Sequence, residues 1–364
     1  MSKKRNGEID IIRFVLSIMI LVHHFAVEYS RTTFNGIYIA PEFFFLVTGY
    51  FMAAHIRRLP QHDLSNSEIA NETWRFIIGK ISKIYPHFVV ALLTQLVLVH
   101  LIVNYKGVMD AASIFLHSMP AFTMTHLGLN FGSRMLFEGN SWYLSAMVIS
   151  LFVLYPVLLK YRDLATKVIF PVAGVFILGY LNQTYGFISS FSNWTGFCFS
   201  GILRGISQIA LGAGIYALVQ WVKDQLKVRN MELRLIPKLI ITAAKAVCFG
   251  LLLLFILSDP FDSINAFFYI MMGLALSFSG LGYSIPDSKF TQLLGKLSLP
   301  IYIYHGVHRN MAVCMFTDAE ISDGLFWGMC AVSIAASICL MYLTEYLMKW
   351  VRKAFAASVR VYSK

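Results

Sequence analysis

Ten apolar runs, each about long enough to cross a lipid bilayer, occupy most of this sequence. A transmembrane helix needs about 20 predominantly apolar residues, and a helix satisfies all of its backbone hydrogen bonds within lipid. The runs cover residues 9–29, 39–57, 78–103, 142–160, 166–182, 202–221, 237–257, 264–283, 297–316 and 325–350. The sequence therefore predicts an all-α integral membrane protein with about ten transmembrane helices.

The composition supports the same class. Of the 364 residues, 57% are hydrophobic and 13% are charged, which is too apolar for an ordinary soluble domain. A net charge of +11 would suggest a nucleic-acid partner in a soluble protein, but membrane proteins collect lysine and arginine in cytoplasmic loops and at lipid headgroups. We therefore expect membrane lipid as the surroundings and no nucleic-acid partner.

Lysine and arginine are distributed unevenly among the loops, and this predicts the orientation. An even number of spans places both termini on one side, and cytoplasmic loops are enriched in these residues. If the termini are cytoplasmic, the outer segments hold only Arg31, Lys106, Arg134, Arg204 and Arg309. Both termini are therefore predicted to be cytoplasmic, in a multi-pass protein of the cell (inner) membrane.

We expect one membrane domain over residues 1–364, with a basic tail at about 349–364 and no fused soluble domain. Segment 111–129 is apolar but interrupted by Pro120 and two histidines, so it is predicted to be re-entrant or interfacial. The five cysteines lack metal-ligand spacing. Neither a metal site nor a permanently bound cofactor is expected.

The first run carries ionisable residues at membrane depth: Arg13, His23 and His24. Arg13 and His24 are eleven residues apart, which returns to nearly the same face of a helix about 16 Å further along. Such groups usually mark a functional site. An alternative is that Arg13 reaches the near interface and pairs with Asp10, while the histidines end the span. This segment alone leaves both interpretations open.

Two further runs carry polar residues on one helical face. Lys80 and Lys83 share a face at the start of the third run, where they could bind phosphate, although an isolated pair of lysines is more often a positive-inside anchor. Ser298, Tyr302 and His305 form a stripe in the ninth run. Each of these polar groups would lack a hydrogen-bond partner in lipid, so the stripe is expected to face protein, where it either joins helices or takes part in catalysis.

Two aromatic elements have ordinary structural explanations. Trp142 begins the fourth run and would, taken alone, be an interfacial anchor. Gly49, within an aromatic-rich segment of the second run, would allow two helices to approach closely.

Taken together, these elements resemble the membrane-bound acyltransferase family 3, whose bacterial members O-acylate surface polysaccharides and related acceptors. The matching residues, in order, are Arg13 and His24; Phe44, Phe45, Leu46, Gly49 and Tyr50; Lys80, Lys83, Ile84, Tyr85 and Pro86; Trp142 and Leu144; and Ser298, Ile301, Tyr302 and His305. The resemblance covers nearly the whole chain.

The sequence departs from the family pattern at two places. Many members have arginines where this chain has Lys80 and Lys83, and lysine keeps the charge but loses the bidentate geometry. Many members also carry a glutamate shortly after the Trp-x-Leu element, where this chain has the apolar segment 146–148. Glu138, just upstream, cannot be assumed to replace it.

The resemblance implies an O-acyltransferase that moves a short acyl group, such as acetyl, from cytoplasmic acyl-coenzyme A to a hydroxyl of a cell-surface glycan or its lipid-linked precursor. The implied roles are catalysis for His24 and Arg13, donor binding for Lys80, Lys83 and Tyr85, and support for Ser298, Tyr302, His305 and Trp142. His23 is assigned to packing or to bonding a loop.

Two other functions remain open at this stage. One is a transporter or exporter of a small solute or glycan precursor, because intramembrane arginine and histidine also suit a proton-coupled carrier. The other is a catalytically silent relative that supports glycan assembly.

Overall fold

The structure is a computed structural model that describes residues 5–60, 63–103, 105–129, 141–186, 191–231, 233–316 and 321–362. All regular elements in these ranges are helices, apart from an isolated bridge between Trp194 and Phe199. The helices are α1 (Gly7–Glu28), α2 (Ala40–Ile56), α3 (Asn66–Thr94), α4 (Val108–His117), α5 (Met119–Phe122), α6 (His126–Leu129), α7 (Trp142–Leu164), α8 (Phe170–Tyr185), α9 (Ser200–Val228), α10 (Leu235–Ser258), α11 (Ser263–Ser279), α12 (Lys289–Phe316) and α13 (Asp323–Tyr362).

Within the described ranges, seven helical stretches are long and apolar enough to cross a membrane. The longest, Trp142–Tyr185, has 44 residues, which at 1.5 Å per residue is about twice the hydrocarbon thickness. Its helical geometry breaks at Arg162, near the end of α7, and the π-helical segment Ala165–Ile169 connects α7 to α8, so the stretch contains two predicted spans. The helices α11 and α12 occupy two more predicted spans. The all-α membrane class is confirmed, and each of the ten predicted spans coincides with a helical stretch; the third combines α3 with the π-helical segment Gln95–Val103.

Two segments differ from the prediction, one in where its helix begins and one in how it is divided. Helix α3 begins at Asn66 rather than near residue 78, because Ser65 and Glu68 form a capping box that starts the helix in a polar segment. Segment 111–129 is not one helix: the short helices α4, α5 and α6 divide it, and Pro120 lies at the start of α5.

The two most extensive helix contacts are those of α2 with α9 and of α1 with α12. Helix α9 also packs against α7, α8 and α11. Between α2 and α9 the contact is close because a Cβ at Gly49 would lie 1.9 Å from the carbonyl oxygen of Ile209. On the opposite helix, a Cβ at Gly212 would lie 2.1 Å from the carbonyl oxygen of Leu46. The sequence assignment of Gly49 to close helix packing is confirmed.

We expect Gly49→Ala to lower the free energy of unfolding by about 1–3 kcal/mol or more, since the added methyl group must push two helix backbones apart. Denaturant titration of the detergent-solubilised protein measures the loss. Gly250→Ala is the matched control, because a Cβ there meets nothing within 4 Å. Equal effects of the two substitutions would contradict the close approach of α2 and α9.

Candidate active site

Two adjoining cavities lie at the end of the helix bundle where the N-terminal segment meets α1. The wide cavity has a volume of about 1160 Å³ and lies between the start of α1, the end of α2, the first half of α3 and the loop before α12. The narrow cavity, of about 280 Å³, continues inward between α1, α2, α3, α7 and α12. Both are lined by Arg13, Phe51, Lys80 and Lys83, so these residues form the boundary between the two cavities.

The wide cavity has a surplus of positive charge. Its described basic residues are Arg5, Arg13, Arg58, Arg75, Lys80, Lys83 and Lys223. Its described acidic residues are Asp10, Glu72 and Asp287. With seven cations and three carboxylates, the wall attracts anions.

Among the described residues, Asp10 and Glu72 form ion pairs with Arg5 and Arg75, and the boundary cations have few polar contacts. Arg5 binds Asp10 with two hydrogen bonds, from Nε at 3.0 Å and from Nη2 at 2.9 Å. Arg13 approaches the same carboxylate only to 3.9 Å. Lys80 lies over the ring of Phe76, with Nζ 5.7 Å from the ring centroid. The alternative prediction was that Arg13 pairs with Asp10. In the structure this pairing is only a weak contact.

The two lysines differ in exposure: Lys83 is exposed and Lys80 is half-buried. Both project into the cavities from α3, as expected for residues that share one helical face. Pro86 lies one turn further along α3. A proline inside a helix removes a backbone hydrogen bond, which favours a bend in α3 at this point.

Polar and apolar groups share the lining of the narrow cavity. The polar side chains beyond the boundary are those of Ser17, Thr48, Tyr143, Ser298 and Tyr302. The apolar side chains are those of Phe44, Val47, Ile84, Leu144, Met147 and Leu299. The Ser298 hydroxyl donates to the carbonyl oxygen of Gly295 at 3.1 Å.

A series of aromatic rings links the narrow cavity to His24. The rings of Tyr143 and Tyr302 have centroids 5.9 Å apart, and those of Tyr302 and His305 are 5.8 Å apart. His305 stacks on His24, with centroids 5.1 Å apart and an angle of 22° between the planes. The packing of α1 against α12 therefore places the two histidines face to face, just beyond the cavity.

The hydrogen bonds of His305 define its tautomer. Its Nδ1 lies 2.6 Å from the carbonyl oxygen of Tyr302. A carbonyl can only accept, so Nδ1 carries the proton and donates it, which leaves a lone pair on Nε2 in the neutral ring. Nε2 is buried and has no hydrogen-bond partner among the described residues. His305 is thus held in one orientation against His24.

His23 points to a different environment. Its Nδ1 lies 2.9 Å from the carbonyl oxygen of Thr33, in the loop after α1. Its ring meets that of His24 edge-on, with centroids 5.9 Å apart. His23 therefore bonds the loop, while His24 faces His305.

Two residues selected from the sequence lie away from the cavities. Tyr85 is 36% exposed and lines neither cavity. Trp142 stacks on Phe191 at 5.0 Å, and the guanidinium carbon of Arg204 lies 4.8 Å from a Trp142 ring centroid. Trp142 thus packs against a buried ion pair rather than against the cavity.

Sequence reasoning missed that ion pair. The Glu42 carboxylate is fully buried in the first turn of α2, and Arg204, which we counted among the outer residues, is 1% exposed at the start of α9. Arg204 donates to Glu42 from Nε at 2.7 Å and from Nη2 at 2.8 Å. The sequence did contain a signal for this pair, since Glu42 lies inside a predicted span and a charge at that depth needs a partner. Glu138 lies outside the described residues.

The described residues contain no cluster of three or more histidines, cysteines, aspartates or glutamates that could hold a metal ion. They do define a class: a membrane-embedded helical protein with a cationic cavity that leads toward stacked histidines. The family model described as "Acyltransferase domain", that of acyltransferase family 3, matches residues 6–346. The chain belongs to this family and is a membrane acyltransferase. Searches of curated proteins and of solved structures found no match.

Proposed function

We propose that this acyltransferase moves a short acyl group, acetyl in the simplest case, from acyl-coenzyme A to a hydroxyl of a cell-surface glycan or its lipid-linked precursor. The observation that carries the proposal is the set of boundary cations, Arg13, Lys80 and Lys83, between the wide and narrow cavities. A donor with a bulky anionic head and a thin reactive arm suits this arrangement.

The donor's two parts correspond to the two cavities. The wide cavity slightly exceeds the usual 300–1,000 Å³ of a ligand site, which suits a phosphorylated nucleotide, and the narrow one lies at the lower limit of that range. Phosphates would bind the boundary cations, while the thioester arm would enter the narrow cavity toward Tyr302. Lysine binds phosphate as a point charge, so the departure from arginine removes bidentate geometry but retains the attraction.

Transfer requires a base for the acceptor hydroxyl, and neutral imidazole suits this role near pH 7. His24 would take the hydroxyl proton as the acceptor oxygen adds to the thioester carbonyl carbon. The carbonyl electrons move to oxygen and then return as the C–S bond breaks. The departing thiolate takes the proton from the His24 imidazolium, which yields an O-ester and free coenzyme A. His305 would orient His24 through the stacked contact.

The charge distribution supports a cytoplasmic donor. The wide cavity opens at the same end of the bundle as Arg5, as Arg58 in the turn after α2, and as Lys223 in the last part of α9. By the positive-inside rule that end would face the cytoplasm, where acyl-coenzyme A is present. The acceptor would then approach His24 from the outer side of the cell (inner) membrane.

The test is acyl transfer in membranes from cells that express the chain, using acetyl-coenzyme A labelled in the acetyl group. We expect the label to enter the glycan or lipid-linked fraction as a base-labile ester, and to fail to do so with His24→Ala or Arg13→Ala. Full transfer by either correctly inserted variant would disprove the assigned role. Solute uptake into proteoliposomes without any acyl donor, together with no labelled ester, would instead support a transporter.

The donor site makes a separate prediction. Lys80→Ala and Lys83→Ala should each raise the KM for acetyl-coenzyme A by about tenfold, with a smaller change in kcat, because each removes a charge-assisted phosphate contact. The measurement is initial-rate kinetics in membranes. The control is Lys160→Ala, since Lys160 lies over the ring of Tyr161 on α7 and lines neither cavity. A similar KM for all three variants would argue against phosphate binding by α3.

A further inference from the structure

One position on the wall of the narrow cavity is occupied by a flexible side chain, that of Met147. Of the three apolar residues 146–148, which follow the Trp-x-Leu element, only Met147 lines this cavity. It is 3% exposed and extends from α7 toward α2. The hydroxyls of Thr48 and Tyr143 both lie 3.9 Å from its Sδ.

These two contacts hold a side chain that is otherwise adaptable. Methionine has several rotatable bonds and usually fits itself to the space available. Here the Thr48 hydroxyl of α2 and the Tyr143 phenol of α7 both lie at the outer limit of a weak hydrogen bond to the thioether, so the sulfur lies between the two helices. The Met147 side chain therefore forms part of the wall of the narrow cavity between α2 and α7.

The position lies on the route of the reactive arm. The cavity begins at the boundary cations and reaches Tyr302, whose ring contacts His305. Tyr143, one helical turn before Met147, faces Tyr302 across the same space. An acyl group carried past the cations toward the histidines would therefore lie against the Met147 side chain.

We infer that Met147 determines the length of the acyl group that this enzyme accepts, by closing the side of the narrow cavity against chains longer than acetyl or propionyl. The inference rests on the proposed use of acyl-coenzyme A. The ligand class is a short, unbranched acyl thioester that would pass the thioether, Val47 and Leu144 to bring its carbonyl carbon to His24. A longer chain would meet the Met147 side chain, which occupies the wall between α2 and α7.

The experiment compares acetyl- and butyryl-coenzyme A as donors in one membrane preparation. The wild type should prefer acetyl by at least tenfold in kcat/KM. Met147→Ala removes the side chain beyond Cβ, and it should raise the butyryl-to-acetyl ratio of kcat/KM by about tenfold, since each buried methylene contributes about fourfold. Met147→Val should shift the ratio in the same direction by a smaller factor. It replaces the alanine variant in the test if that variant does not insert into the membrane.

Met52→Ala is the matched control. Met52 is fully buried on α2 in the same hydrophobic cluster, but it lines neither cavity. Its truncation should leave the donor ratio unchanged, because a ratio measured in one preparation is insensitive to the amount of folded protein. Acetyl transfer with an unchanged ratio in both Met147 variants would overturn this inference alone. Failure of the wild type to use any acyl-coenzyme A would overturn the proposed function as well.

Discussion

Replacing His24 with alanine is expected to lower the rate of acyl transfer by about 10²–10⁴-fold, the usual contribution of a general base. The imidazole is the group that would accept the acceptor's proton, and the side chain that stacks on it, His305, already donates its Nδ1 proton to a backbone carbonyl. The KM for acetyl-coenzyme A should change little, because His24 lines neither cavity. Donor-dependent formation of a base-labile ester in membranes measures both parameters.

The adjacent histidine provides the comparison. His23→Ala removes an imidazole of the same size from the same helix, but one that bonds the carbonyl oxygen of Thr33. We expect its activity to remain within about tenfold of the wild type, since the lost hydrogen bond contributes about 1 kcal/mol. Equal losses for the two variants would mean that the pair acts together, and full activity of the His24 variant would remove it from the chemistry.

The second large effect concerns stability. Glu42→Gln or Arg204→Met is expected to lower the free energy of unfolding by about 3–5 kcal/mol, because either change leaves a buried charge without its partner. Both groups are almost completely inaccessible to solvent, and they join α2 to α9. Denaturant or thermal unfolding in detergent reports the loss, and Trp142, which packs over Arg204, provides a fluorescence signal.

A double variant and a surface pair make this prediction specific. Glu42→Leu combined with Arg204→Met should recover most of the loss, since apolar residues of similar volume often replace a buried ion pair without cost. Lys167→Ala breaks the exposed pair with Asp163, whose Nζ–Oδ2 distance is 2.7 Å, and should change stability by less than 1 kcal/mol. Single variants no worse than Lys167→Ala would contradict the structural role of the buried pair.

The helices were predictable from the sequence because lipid leaves a long apolar segment no other way to satisfy its backbone. The extension of α3 to Asn66 was missed, since its first turns are polar and therefore lie outside any apolar run. The capping box formed by Ser65 and Glu68 was nevertheless visible in the sequence as a Ser-x-x-Glu pattern.

Helical periodicity also predicted part of the site. It placed Lys80 and Lys83 on one face, and both line the cavities. Tyr85 was selected because it matches the family motif. It is two residues beyond Lys83, about 200° around the helix, and therefore lies on a different face from the one that lines the cavities. The Glu42–Arg204 pair joins residues far apart in the chain, and periodicity within one helix carries no information about such contacts.

The double hydrogen bond from Arg5 to Asp10 has a consequence for how fast a donor can bind. A guanidinium that is already neutralised must break its ion pair before it accepts a phosphate, whereas Arg13 has only a 3.9 Å contact to give up. Arg5, two residues before α1, thereby keeps the cation within α1 available. For the anionic donor proposed above, a cavity lined by such a surplus would concentrate the ligand at its mouth and speed its encounter most strongly at low ionic strength. The N-terminal segment would thus contribute to the association rate without touching the reacting atoms.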